Sequence, residues 1–110
     1  MNLATPPLPV IRSLHRLGQA LSQARRRRHW SQQDLAERIG ASVSTVRRME
    51  AGHEGMALLP VVRALQVFGE LAQFDQLLDT AQDSIGLTLM NERLPQRVRK
   101  SKTTPESGGF

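Results

Sequence analysis

The stretch WSQQDLAERIGASVSTVRRMEAG, residues 30–52, holds the start and end signals of two short helices. Ser31 is suited to the N-cap of the first helix, and Asp34 completes a weaker form of the capping box. Trp30 occupies the position of a hydrophobic staple just before that helix. Gly40 ends the helix, because glycine tolerates the left-handed backbone that follows a helix C-terminus.

A second helix follows after a very short connection. Ser42 is suited to its N-cap, the helix is predicted from Val43 to about Glu50, and Gly52 ends it. The connection is three residues long, which favours two helices packed directly against each other.

The relative positions of Ala36, Gly40 and Val46 identify this pair as a helix-turn-helix motif. Ala36 lets the two helices approach closely, Gly40 allows the tight turn, and Val46 locks the second helix onto the first. Pairs of amphipathic helices are common by chance. The combination of these three residues with two serine caps argues against chance here.

Hydrophobic periodicity predicts three further helices around this motif. The first begins at Ser13, the fourth covers residues 58–68 and the fifth covers 71–81. We therefore predict an all-α fold with a five-helix domain over residues 13–82. In these three helices, the apolar residues expected to face the core of the domain are Leu14, Leu17, Leu21, Ala24, Leu58, Leu59, Val62, Leu65, Phe68, Phe74, Leu77 and Leu78.

The flanking segments are predicted to differ from the domain. Residues 1–12 form a flexible N-terminal arm, because three prolines oppose a helix. Residues 83–91 form a short β-strand, which has no partner in a helical monomer and therefore pairs with the same strand of a second copy. Residues 92–110 form a basic, disordered tail. The strand residues assigned to dimerisation are Ile85, Leu87 and Leu89.

The charge distribution points to a polyanionic partner, although a plain solvated surface explains it equally well. The net charge is +5. Residues 1–55 carry nine arginines against four carboxylates, and residues 92–110 carry five basic groups against two. Residues 56–91 carry one arginine against four carboxylates. Two basic ends around an acidic middle fit nucleic-acid binding by the ends.

Composition also sets limits on other functions. The chain lacks cysteine, a long apolar run and a signal-peptide pattern, so we expect a cytoplasmic protein. The three histidines, at 15, 29 and 53, have no metal-ligand spacing. No catalytic triad, carboxylate pair or phosphate loop is present, and we predict no enzyme activity, no metal and no cofactor.

The stretch at 30–52 resembles the Xre/Cro-type helix-turn-helix family of bacterial and phage regulators. Residues 14–81 fit its five-helix, lambda-repressor-like domain. The resemblance implies a homodimer on an inverted-repeat operator in double-stranded DNA, with the second motif helix in the major groove. It implies a phosphate contact for the residue at position 32 and a base or phosphate contact for the arginine at position 47. For the residues at positions 42, 43, 44 and 48 it implies base contacts. The implied DNA-binding residues are Gln32, Ser42, Val43, Ser44, Arg47 and Arg48.

The same resemblance implies a structural ion pair between Arg25 and Glu50, which ties the first helix to the recognition helix. His29 stands where the family usually has a glycine at the end of the first helix, so that end is expected to differ. Of the arginine run at 25–28, only Arg26 and Arg27 are then free to face solvent or phosphate.

Residues 65–99 are similar to the C-terminal part of HipB-like antitoxins, through DSIGL at 83–87 and RLPQR at 93–97. This similarity implies an antitoxin that neutralises a HipA-like serine/threonine kinase toxin and autorepresses its operon as a homodimer. Two alternatives stay open: a stand-alone regulator of the same family, and a non-specific nucleoid-type binder.

Overall fold

A computed structural model describes residues 5–79 and 84–93, and the regular structure in these ranges is all helical. The chain divides into two compact units, residues 1–76 and 77–110. The first unit holds five helices and the second holds one, so six helices stand in the described ranges. They are α1 (Leu8–Arg27), α2 (Gln32–Ile39), α3 (Val43–Ala51), α4 (Leu58–Phe68), α5 (Leu71–Asp75) and α6 (Ser84–Arg93).

The start signals predicted for α2 and α3 are present in the structure. Ser31 Oγ accepts a hydrogen bond from the Asp34 N–H at 3.0 Å, and Asp34 Oδ2 accepts from the Ser31 N–H at 2.8 Å. Ser42 Oγ accepts from the Thr45 N–H at 3.1 Å. Gly40 ends α2 in the left-handed region, with φ of 68°. The turn between the helices is therefore as short as predicted.

The first helix begins five residues earlier than predicted, at Leu8 rather than Ser13. Pro7 occupies the N-cap and Pro9 lies in the first turn. A proline costs little there, because the first backbone N–H groups of a helix have no intrahelical acceptor. The predicted arm over residues 1–12 therefore overlaps α1 at 8–12.

The end of α1 shows how the chain manages without the usual glycine. His29 adopts a left-handed backbone with φ of 60°. The His29 N–H donates to Arg26 O at 2.9 Å, and the Trp30 N–H donates to Arg25 O at 3.3 Å. These two bonds form a Schellman motif, so the helix ends as it would with glycine, but with a strained residue at the turn.

The inward faces of α4 and α5 differ from the predicted stripes. Leu58 and Leu59 are exposed, and the core side of α4 consists of Val61, Ala64 and Phe68. The fifth helix stops at Asp75 instead of continuing to residue 81. The predicted burial of Leu77 and Leu78 is wrong, because both are exposed, and the left-handed backbone of Leu78 does not continue a helix. The core of the first unit is formed by Leu21, Leu35, Ala36, Ile39, Val46, Met49, Val61, Ala64 and Phe68.

The prediction of a β-strand at 83–91 is wrong. Residues Ser84–Arg93 form α6, while residues 80–83 and most of the predicted tail, 94–110, lie outside the described residues. A helix satisfies its own backbone N–H and C=O groups, whereas a lone strand leaves them unpaired. Leucine, methionine, glutamate and arginine within this segment are also good helix formers.

Loss of the strand changes the geometry of the predicted dimerisation residues. In a strand, Ile85, Leu87 and Leu89 share one face, but in a helix each residue turns by about 100°. Ile85 and Leu89 therefore share one face of α6, and both are exposed. Leu87 lies on a different side of the helix and is half-buried.

Candidate functional site

The outer side of α3 presents three polar side chains that are not used within the fold. Ser44, Arg47 and Arg48 are exposed, and no hydrogen bond or ion pair joins their side chains to another described residue. Helical geometry places all three within an arc of about 100°, opposite the buried Val46. This face is available to bind a ligand without disturbing the core.

A buried ion pair holds α3 against α1. Arg25 Nε lies 2.6 Å from Glu50 Oε2, and Arg25 Nη2 lies 3.0 Å from Glu50 Oε1. The side chains are 10% and 7% exposed. Arg25 Nη1 also donates to Trp30 O at 2.8 Å. This two-pronged, charge-assisted contact fixes the C-terminal end of α3 relative to the end of α1.

A close backbone crossing reinforces this arrangement, and the sequence analysis missed it. A Cβ on Gly18 would lie 2.6 Å from Glu50 O and 2.7 Å from Gly52 N. A Cβ on Gly52 would lie 2.6 Å from Leu14 O. Both glycines are buried, so α1 and α3 touch through their backbones here. The available signal was Gly18 itself, a glycine in a helix interior, where that residue otherwise weakens the helix.

Gln32, the predicted phosphate contact, lies beside the ion pair. Its Nε2 donates to Glu50 Oε1 at 3.1 Å, and the side chain belongs to a half-buried residue at the first position of α2. Glu50 thus receives hydrogen bonds from two helices. Because an amide nitrogen carries two hydrogens, one remains for a ligand while the other stays on the carboxylate.

The structure uses Ser42 and Val43 differently from Ser44, Arg47 and Arg48. The Ser42 hydroxyl is the N-cap acceptor and lies 3.0 Å from Thr45 Oγ1. Val43 is half-buried and packs against the core. These two residues help to form α3 and to pack it against the core, whereas the three outward residues form its exposed surface.

Arg28 has a structural role that the sequence analysis did not assign. Its Nη1 donates to Ala24 O at 2.7 Å, and its Nη2 donates to Phe68 O at 2.9 Å. Its guanidinium carbon also lies 4.8 Å from the centre of the Phe68 ring, within the range of a cation–π contact. One side chain therefore holds the C-terminal ends of both α1 and α4.

Trp30 lies at the centre of an aromatic and cationic cluster. Its ring stacks against Phe68 with 6.1 Å between centroids, and the guanidinium carbon of Arg38 lies 4.1 Å from the Trp30 ring centre. Trp30 also packs against the core cluster, of which Leu35 is a member. The cluster joins α2 to the end of α4 and so stabilises the position of the helix-turn-helix motif.

Neither a metal-ligating cluster nor a membrane-spanning helix is found among the residues that the structure describes. They contain no group of three or more metal-ligating side chains placed to hold an ion. Among the same residues, no helix has the length and apolarity needed to cross a membrane.

Comparison with known families agrees with this geometry. A family model described as a helix-turn-helix domain matches residues 16–84, which is more than half of the chain. The matched range includes the capped pair α2–α3, the ion pair and the outward face of α3. Searches of the curated proteins and of the solved structures returned no match.

Proposed function

Because this chain belongs to the helix-turn-helix domain family and is Xre-like, we propose that it regulates transcription by reading a specific DNA sequence with α3. DNA binding and regulation are the general roles of the family. Specific reading by α3 is the further step, and the polar outward face of that helix, whose side chains are not used within the fold, supports it. Domains of this family are typically not enzymes.

The chemistry of the outward face suits base edges and phosphates. Arg47 and Arg48 each present a planar fork of donors, which matches the acceptors of guanine or the oxygens of a phosphate. Ser44 is short and can accept or donate. Since α3 is fixed at its base by Glu50, these side chains are held on a rigid element, as specific recognition requires.

Binding-site selection from random duplex DNA tests this function. We expect a preferred sequence to emerge, and we expect Arg48→Ala and Ser44→Ala to lower the ratio of selected-site to random-site affinity at fixed salt. Loss of one good base contact corresponds to about 1–3 kcal/mol, or roughly a 5- to 150-fold lower ratio. Arg63→Ala is the matched control, because Arg63 is an exposed arginine on α4. An unchanged ratio in both α3 variants would exclude α3 as the reading element.

The proposed active form is a homodimer that presents two copies of α3 about 34 Å apart to an inverted repeat. Support comes from exposed apolar side chains in the second unit: Ile85 is 74% and Leu89 is 56% exposed, and they lie one turn apart on α6. Leu77 and Leu78 add further exposed apolar surface. Apolar surface of this kind is commonly covered in an oligomer.

Light scattering after size exclusion measures the oligomeric state. We expect a dimer for the wild type and a monomer for the double variant Ile85→Asp/Leu89→Asp. The matched control is Leu58→Asp/Leu59→Asp, an equally exposed apolar pair on α4, which should remain dimeric. A dimer that survives the α6 variant and dissociates in the α4 variant would move the interface to α4.

Within this function we propose that the chain acts as an antitoxin for a HipA-like serine/threonine kinase, and that it represses its own operon. The proposal rests on the resemblance of residues 65–99 to HipB-like antitoxins. The helix α6 at Ser84–Arg93 replaces the strand predicted at 83–91 and so removes one of its supports. The alternative is a stand-alone regulator of the same family, which needs no protein partner.

Co-expression with the neighbouring gene products distinguishes these two roles. An antitoxin should co-purify with a kinase and suppress its autophosphorylation at equimolar ratio. A variant that lacks residues 94–110 shows whether that segment is required for the complex. If no kinase is retained by a protein that binds its selected DNA, the stand-alone role is correct.

A further inference from the structure

A row of polar side chains runs along α1 on the side opposite the core. Successive residues of a helix turn by about 100°, which places the row within an arc of about 80°. The buried Leu21 lies on the opposite side of the helix, and each member of the row is exposed. We call this set the arginine row; its members are Arg12, Arg16, Gln19, Gln23 and Arg26.

The arginine row has no acidic counterpart. The segment Leu8–Arg27 contains five arginines and no aspartate or glutamate. In the described part of the chain, no carboxylate forms an ion pair with Arg12, Arg16 or Arg26. Like charges one turn apart, such as Arg12 and Arg16, destabilise a helix slightly. The C-terminal end of the helix dipole favours Arg26, but helix stability gives no reason for the pair Arg12 and Arg16, whereas binding of a polyanion accounts for all three.

We propose that the arginine row binds the phosphate backbone of double-stranded DNA, as a contact separate from α3. The proposal rests on the DNA-binding function proposed above. Arginine forks fit phosphate oxygens. From Arg12 to Arg26 the helix rises about 21 Å, which corresponds to the axial length of about six base pairs of duplex DNA.

The packing of α3 leaves the row accessible. Gly18 and Arg25 face α3, and helical geometry places them about 120–140° around the α1 axis from the centre of the row. A duplex held by the row therefore meets a different side of α1 from the side covered by α3.

DNA fits this surface better than a lipid bilayer does. A helix that lies on a membrane inserts an apolar face, but the apolar face of α1 is used in the core, where Leu21 is 2% exposed. The row itself holds only arginine and glutamine. This side of α1 therefore offers mainly hydrogen bonds and charge, and Leu8, one turn before Arg12, is its one large exposed apolar side chain.

The salt dependence of binding to a random-sequence duplex tests the row without needing an operator. We compare the wild type with Arg12→Gln/Arg16→Gln/Arg26→Gln, which lowers the net charge from +5 to +2. Each lost phosphate contact reduces the slope of log K against log salt by about 0.9, so we expect a reduction of about 2.7. Circular dichroism melting checks that the variant is folded.

Two further variants control for charge and geometry. Arg63→Glu/Gln66→Glu, at two exposed positions on α4, lowers the net charge equally and should change the slope much less. Arg→Lys at positions 12, 16 and 26 should retain most of the slope. An unchanged slope in the row variant, or an equal reduction in the charge-matched variant, would overturn the proposal.

The test also separates the row from the α3 function. The row variant should lower the affinity for the selected duplex and for random duplexes by the same factor, so that the ratio of the two affinities stays constant. A ratio that falls with the row variant would show that the row and α3 are not separate contacts. If selection yields no preferred sequence but the row variant still lowers the slope, the row stands and specific recognition by α3 fails.

Discussion

Substitution of Gly18 by alanine tests the backbone crossing of α1 and α3. The added Cβ would lie 2.6 Å from Glu50 O, whereas ordinary contact begins near 3.4 Å. The helices must therefore separate by about 0.8 Å, the difference between these two distances. The obstructing atoms belong to the backbone and cannot rotate away. The substitution therefore disturbs the contact that supports α3.

Two opposing effects determine the change in the free energy of unfolding. Alanine in place of glycine favours a helix interior by up to about 1 kcal/mol. Overpacking costs typically about 1–3 kcal/mol, and separation of the helices also reduces the contacts of buried neighbours such as Leu21 and Met49. We expect Gly18→Ala to lower the free energy of unfolding by about 1–2 kcal/mol.

Urea unfolding followed by far-UV circular dichroism measures this change. Ala20→Gly is the matched control, because Ala20 is exposed in the same helix and reports helix propensity alone. We expect it to lower the free energy of unfolding by about 1 kcal/mol. If Gly18→Ala instead stabilises the protein by a similar amount, propensity dominates and the crossing is not tight.

Three other perturbations test the supports of the motif. Glu50→Ala leaves Arg25 nearly buried without its carboxylate and should lower the free energy of unfolding by about 3–5 kcal/mol; a loss below about 1 kcal/mol in urea titrations would show that solvent replaces the pair. His29→Gly should raise the midpoint of thermal unfolding, because relief of left-handed strain outweighs the added freedom of the unfolded chain by about 0.5–1 kcal/mol, and a lower midpoint would contradict that strain. Hydrogen bonds from the backbone and side chain of Ser31 lower the pKa of Asp34 from 3.8. Its stabilising contribution is therefore present above pH 3.8 and is lost as the pH falls through the lowered pKa; Asp34→Asn should show a shallower acid limb in stability measured against pH, and identical acid limbs would count against this linkage.

Local signals predicted the central part of the fold well. The caps and end glycines of α2 and α3 act through hydrogen bonds within four residues, so their positions can be read from residues 31–52 directly. The proposal that α3 reads DNA rests on the same short-range pattern. This local pattern does not contain the contacts by which distant parts of the chain support α3.

The errors arose where tertiary context decides the outcome. The apolar segment Ile85–Met90 has features of a strand and of a helix, and the backbone's need for hydrogen-bond partners favours α6. The roles of Gly18 and Arg28 depend on residues more than 30 positions away, Glu50 and Phe68. No local pattern contains that information.

The hydrogen bonds of Arg28 to two helices have a consequence for how the domain can be truncated. This side chain binds carbonyl groups at the ends of α1 and α4, which are 44 positions apart at Ala24 and Phe68. A fragment limited to residues 31–52 would lack both the guanidinium and the two carbonyls it joins. We therefore expect that the helix-turn-helix pair does not fold on its own, and that the shortest chain to unfold cooperatively extends from α1 through Phe68.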